Sequence, residues 1–218
     1  MAFSNGPKII TDGLVFCMDA GNTQCFISGE STCTDLVKDL TGTLTGTVYS
    51  SEGNGSFSFD GNGDNINLGN QAIGGTTSLS VTAWINIPNT IQKTIISKYA
   101  SQNWNIGIYG GLWFGIKTST WDGLTGDYPP TNEWAHVAGT WDGSTRKVYI
   151  NGDENASNSK SGTITYGSED VLIGDLGYSS DLGFDWDGKI GPILVYDKAL
   201  TAAEIKQNYN AQKSRFGK

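Results

Sequence analysis

In the stretch LSVTAWINI, residues 79–87, Leu79, Val81, Ala83, Ile85 and Ile87 fall on every second position. Strict period-two alternation puts those five side chains on one face of an extended chain, the pattern of a strand lying against a core. Shorter runs of the same kind follow one another along the chain: GLVFCMDA (13–20), GSFSFDG (55–61), NINLG (65–69), KTIISKY (93–99), WNIGIY (104–109) and LWFGIKT (112–118). EWAHVAGTW (133–141), RKVYING (146–152), DVLIGDL (170–176) and GKIGPILVYDK (188–198) continue the series, and a weak strand is expected near TLTGTVY. The breaks between runs are rich in Gly, Asn, Asp and Ser, and DGST (142–145) is a turn signal between two alternating runs. Such residues supply the positive φ and Asx turns that short hairpins need.

One segment reads as a helix. TAAEIKQNYNAQ (201–212) opens on Thr201 with Glu204 three places on, a capping box, and Ile205 and Tyr209 lie four apart, positioned to dock. Roughly eleven short strands and one terminal helix define an all-β fold, a two-sheet antiparallel jelly-roll sandwich.

At 218 residues, with no internal repeat or low-complexity linker, the chain reads as one domain. The expected division is an N-terminal arm at 1–12, a jelly-roll domain at 13–212 and a C-terminal tail at 213–218. The arm is polar enough to be loose in isolation and to order on docking. The formal charge of −8 disfavours nucleic acid, and the absence of a run of ~20 apolar residues disfavours membrane insertion. MAFSNGPKIITDG has neither the basic nor the apolar region of a secretion signal, so assembly in a cytoplasm is expected. Cys17, Cys25 and Cys33 are then reduced thiols, with a Cys25–Cys33 bridge as the alternative.

Four segments, GSFSFDGNGDNINLGN, LSVTAWINI, NEWAHVAGTWDGSTRKVYINGD and WDGKIGPILVYDKALTAAEI, occur in that order over residues 55–207. Together they resemble a laminin-G-like (concanavalin A-like) jelly roll of the branch that includes pentraxins. The opening DGLVFCMDAGN and the ending EIKQNYNAQKSRFGK resemble such domains in tailed-phage structural proteins. The resemblance makes the segment around His136, the only histidine, a sandwich strand. His136 is accordingly expected to be a packed, hydrogen-bonded structural residue, with no nucleophile elbow or triad beside it.

The resemblance also implies one structural Ca²⁺. Asp64 and Asn65 stand where pentraxins carry an Asp-Asn calcium pair, and Asp175 follows an Ile-Gly where their second acidic loop begins. The run after it is poorer in acids, with Asp181 as the substitute, and Asp60 is the other loop acid nearby. Hard oxygen donors of this kind suit calcium, but the same side chains also cap turns.

No carboxylate pair of the Glu-x-Asp-x-Glu kind is present, so glycoside hydrolysis is not expected. SSDLGFDW half-matches a sialidase Asp-box, once and imperfectly. Carbohydrate recognition would instead use aromatic rings in loops. STWDGLTGDYPPTNEW offers Trp121, Asp122, Asp127 and Tyr128, and LGYSSDLGFDWDG offers Tyr178, Phe184 and Trp186. The alternative is that these rings cover the sandwich ends or an oligomer interface.

The expected function is a non-enzymatic virion structural protein of a tailed phage, a capsid decoration or tail/fibre module, binding carbohydrate at the host surface. Its partners would be other virion proteins or a homo-oligomer, and a host-surface glycan. A free lectin-like protein or adhesion module is the alternative.

Overall fold

The computed structural model describes residues 7–98, 103–177 and 183–218. In chain order the first eight strands are β1 Leu14–Met18, β2 Thr32–Thr34, β3 Thr41–Thr45, β4 Val48–Ser50, β5 Ser56–Asp60, β6 Asn65–Asn67, β7 Leu79–Asn86 and β8 Lys93–Lys98. The rest are β9 Trp104–Ile108, β10 Leu112–Lys117, β11 Trp121–Thr125, β12 Trp134–Trp141, β13 Thr145–Ile150, β14 Asp153–Ser159, β15 Leu172–Ile173 and β16 Asp187–Tyr196. Helix α1 spans Ala202–Gln212, and a 3₁₀ turn, Lys213–Phe216, closes the chain.

Every strand pairing is antiparallel among the described residues, and the strands form two sheets of eight. Sheet A runs β14-β13-β12-β7-β16-β5-β4, with β1 added on β16; sheet B runs β11-β10-β9-β8-β15-β6-β3-β2. The two pack face to face as a jelly-roll sandwich, as the alternation required. Val81, Ala83 and Ile85 of β7 meet Ile106, Phe114 and Ile116 of sheet B in one core. Gly139 of β12 leaves the space that the Phe114 ring fills; a Cβ there would clash with it. The DGST turn closes as expected, with Asp142 Oδ1 accepting from the amides of Ser144 and Thr145.

The patterning of β7 implied one covered face, yet both faces are buried. Sheet A is roofed on its outer side by the C-terminal segment. Helix α1 carries the capping box between Thr201 and Glu204, and its Ile205 packs beside Leu194 and Tyr196. Beyond the helix, Phe216 stacks on Trp84 with ring centroids 4.3 Å apart. Arg215 then grips Asp19 through two bonds of 2.6 and 2.7 Å and also reaches the carbonyls of Gly53 and Gly55. The segment 213–218 is therefore a packed latch, because it carries an aromatic ring and a bidentate cation.

The described part of the arm, residues 7–12, is docked in the same way. The Ile10 amide donates to Asn208 Oδ1, the Ile10 carbonyl accepts from Tyr196 Oη, and Lys198 pairs with Asp12 at 2.7 Å. The outer face of sheet B carries no helix among the described residues, although both faces of its β8 and β9 are buried as well. Among the described residues no helix is long and apolar enough to cross a membrane.

Candidate binding groove on sheet B

Strands β9 to β11 alternate strictly, and β8 does so apart from a bulge between Thr94 and Ile96. Ile96, Ile106, Phe114 and Leu124 enter the core, so Ser97, Asn105, Gly115 and Gly123 form a row on the outer face, joined by register pairing. The next row outward is Thr94, Gly107, Trp113 and Thr125. Two glycines facing one another leave a bare floor, and two indoles occupy it. The ring of Trp121 lies over Gly115, and the ring of Trp113 lies over Gly123; a Cβ at either glycine would collide with them.

The two indoles and the rings beyond them bound a groove of about 240 Å³. Tyr109 stands edge-on to Trp113 at 5.4 Å and stacks with Phe184 at 6.2 Å. Leu176, Thr94, Asn105, Gly107 and Ile108 complete the wall with Lys93. The Phe184 segment is pinned to β8 by the Thr94 amide, which donates to the Phe184 carbonyl at 2.8 Å. Asn105 Oδ1 accepts the Trp113 indole N–H at 3.1 Å, which fixes both the ring and the orientation of the amide. Lys93 is turned away: its Nζ donates to the Asp187 carbonyl at 3.0 Å, lies over the Trp186 ring, and its ammonium is pushed below the usual lysine range by burial.

The residues expected to bind ligand separate here. Trp121 lines the groove, but from a strand and not from a loop, since β10 and β11 pair across the glycines. Asp122, its neighbour, points to the opposite face and is committed to Arg146 at 2.7 Å and Lys160 at 3.0 Å, both buried cations. It holds the edge of the sandwich together with its side chain half-exposed, and it does not line the groove. Trp186 is a correction: it is fully buried in the core and offers no surface to a ligand. Tyr128 is exposed beside the Asp127–Asn155 pair on the β14 side and does not line the groove. Tyr178 and Asp181 lie outside the described residues. Trp113, Tyr109 and Asn105 were missed: Trp-x-Gly occurs four times, at Trp113, Trp121, Trp141 and Trp186, and the last two rings are buried in the core, so the motif alone does not mark the groove.

The residues named for calcium do not converge. Asp64 is buried and turned inward, where its Oδ2 accepts the Asp60 amide at 2.9 Å; burial pushes its carboxyl up, the amide working against it. Asn65 Nδ2 donates to the Gly63 carbonyl, and Asp175 Oδ1 accepts from the Gly177 amide at 2.8 Å. Each side chain closes its own turn, and among the described residues no three His, Cys, Asp or Glu groups gather around a metal-sized space. These three donors, as placed, do not fit one shared ion.

His136 is fully buried between Trp84 and Tyr209, with ring centroids 5.5 and 6.0 Å away. The structure upholds the packing but not the hydrogen bonds, because neither ring nitrogen finds a partner among the described residues. Burial pushes its pKa down to about 3, so the imidazole is neutral at physiological pH and remote from the groove face. The three cysteines are buried and free, with burial pushing Cys17 and Cys33 up to about 12, which keeps both as unreactive thiols.

A two-sheet jelly roll with one roofed face and one aromatic groove has the architecture of a lectin-like domain. The chain belongs to the concanavalin A-like lectin/glucanases superfamily, whose laminin-G-type profile matches residues 60–206. No curated protein matches it in sequence. In fold it is similar to domain 4 of AbnA, a GH43 extracellular arabinanase from Geobacillus stearothermophilus, in complex with arabinotriose (TM-score 0.70, 20% identity, 94% of this chain and 100% of that one). It is also similar to the binding domain of Paraclostridial Mosquitocidal Protein 1 (TM-score 0.72, 17% identity, 92% of this chain, 52% of that one). A third is the botulinum neurotoxin serotype D ligand binding domain in complex with N-acetylneuraminic acid (0.69, 18%, 93% and 52%). The chain thus spans about half the length of these two toxin domains.

Proposed function

We propose that this chain is a non-catalytic carbohydrate-binding protein whose site is the sheet B groove, serving a tailed-phage particle as a capsid decoration or tail/fibre module. The observation that carries the binding half is the pair of indoles packed against Gly115 and Gly123 and lining the groove. Flat aromatic faces take the C–H faces of sugars, and a groove built on strands holds them rigidly. Arabinotriose and N-acetylneuraminic acid, bound by two proteins of the same fold, agree with a glycan as ligand. The described groove lining carries no carboxylate, whereas glycoside hydrolysis needs two.

The virion half rests on the resemblance of DGLVFCMDAGN and of the C-terminal segment to phage structural proteins. Strand β4 supports contact with virion neighbours or with further copies of this chain, since it is a sheet edge bearing exposed Val48 and Tyr49. Glycan-array binding by wild type, lost in Trp113→Ala and Trp121→Ala, tests the first half. Mass spectrometry of purified particles tests the second, and absence of the chain from them would leave the free lectin-like reading.

A further inference from the structure

We infer that the groove selects an uncharged oligosaccharide laid across the strands, with the Asn105 side-chain amide as the donor that reads it. This rests on the carbohydrate-binding reading above and narrows it to a ligand class.

The span comes from the sheet. The lining draws on β8, β9, β10 and β11, and three inter-strand steps cover about 14 Å. That is the reach of a short saccharide chain, and the modest volume means that the chain lies on the rings instead of being engulfed.

The charge preference follows from what the groove offers. Among its described lining residues the one lysine, Lys93, is 2% exposed and spends its ammonium on the Asp187 carbonyl, with the Asp187 carboxylate 3.8 Å away. A sialic or uronic carboxylate entering here would lose water and gain no cation, in a chain of net charge −8. A neutral sugar has no such cost.

Asn105 supplies the polar contact. It is 7% exposed, it lines the groove, and its Oδ1 is taken by the Trp113 N–H. The described residues provide no partner for its Nδ2. An amide donor that reaches the groove without an acceptor among the described residues, beside aromatic rings, is matched by a hydroxyl, ring or glycosidic oxygen.

The test uses the full chain against immobilised neutral oligosaccharides and their sialylated and uronate-bearing counterparts, at low and high salt. Neutral chains should bind, with little dependence on salt. Asn105→Asp keeps an acceptor for Trp113 but replaces the donor, and should weaken neutral binding about tenfold with the melting temperature nearly kept. Trp121→Ala should weaken it at least as much. Preference for the acidic counterparts, still lost in Trp121→Ala, would overturn the uncharged-ligand inference and leave the groove as the site. Binding equal to wild type in Trp113→Ala and Trp121→Ala would overturn the groove itself, as would wild type binding nothing on the panel.

Discussion

The indole of Trp121 rests on the backbone of Gly115, in the space where any other residue would put its Cβ. Trp113 has the same relationship to Gly123, the register partner of Gly115. The glycines therefore set the height and tilt of the rings.

A methyl group should displace the rings while the strands persist, because the clashing atoms at both positions include indole carbons that can swing outward. Gly115→Ala and Gly123→Ala are expected to lower stability by about 1–3 kcal/mol, the usual range for overpacking. Saccharide binding should drop more steeply than stability. Unchanged affinity in both variants, read by calorimetry, would show that ring height does not matter.

Trp186 and Trp121 should separate cleanly on substitution. Trp186→Ala opens a cavity in the core and is expected to cost about 3–5 kcal/mol of stability. Trp121→Ala removes a partly exposed ring and should mainly cost affinity, about 2 kcal/mol or more for a hot-spot aromatic. Denaturant unfolding and binding, measured on both variants, check the contrast. A Trp186→Ala chain as stable as wild type would contradict its core position.

The sandwich was legible because period-two alternation in β7, β9, β10 and β12 leaves no other fold class open, and because Thr201 and Glu204 announce the helix. The groove was legible only in part. Trp121 and Trp186 look alike in sequence, both aromatic, both followed by Asp-Gly in glycine-rich stretches. What separates them is pairing: β11 pairs with β10 and turns Trp121 outward, while the stretch before β16 drives Trp186 into the core. Strand β11 lies in a stretch expected to be a loop, since WDGLT carries too few apolar residues to show alternation, and DENASNS of β14 carries as few. Asp122 looked like a sugar ligand because the partners that claim it, Arg146 and Lys160, are 24 and 38 residues away.

Calcium should leave the melting curve nearly unchanged. Asp64 accepts the Asp60 amide and is desolvated, so Asp64→Ala should destabilise by about 1–3 kcal/mol through the orphaned amide. That loss should be the same with EDTA and with added calcium. A shared ion would instead add about 2.7 kcal/mol at a hundredfold excess of calcium over its Kd, and Asp64→Ala would remove that increment. A calcium-dependent melting temperature in wild type alone would restore the ion that the turns argue against.

Acid should loosen the fold through His136 before the carboxylates titrate. The unfolded chain binds a proton at the ordinary histidine pKa near 6.5, whereas burial holds the folded value down to about 3. The folded pKa is depressed, so this contribution is fully present above pH ~6.5 and is lost as pH falls from there towards about 3. The slope is bounded at about 1.4 kcal/mol per pH unit for one proton. Ordinary carboxylates titrate near 4, which leaves the window from about 6.5 to 5 to the histidine. Protonation there must break the contacts of His136 with Trp84 and Tyr209, and the Trp84 ring is also where Phe216 of the C-terminal latch stacks. His136→Phe keeps an aromatic ring in that stack and cannot bind a proton. Its stability should therefore be nearly level between pH 6.5 and 5, while wild type loses roughly 1–2 kcal/mol over the same interval. Urea unfolding at several pH values measures both, and parallel curves for the two proteins would remove His136 as the acid-sensitive group.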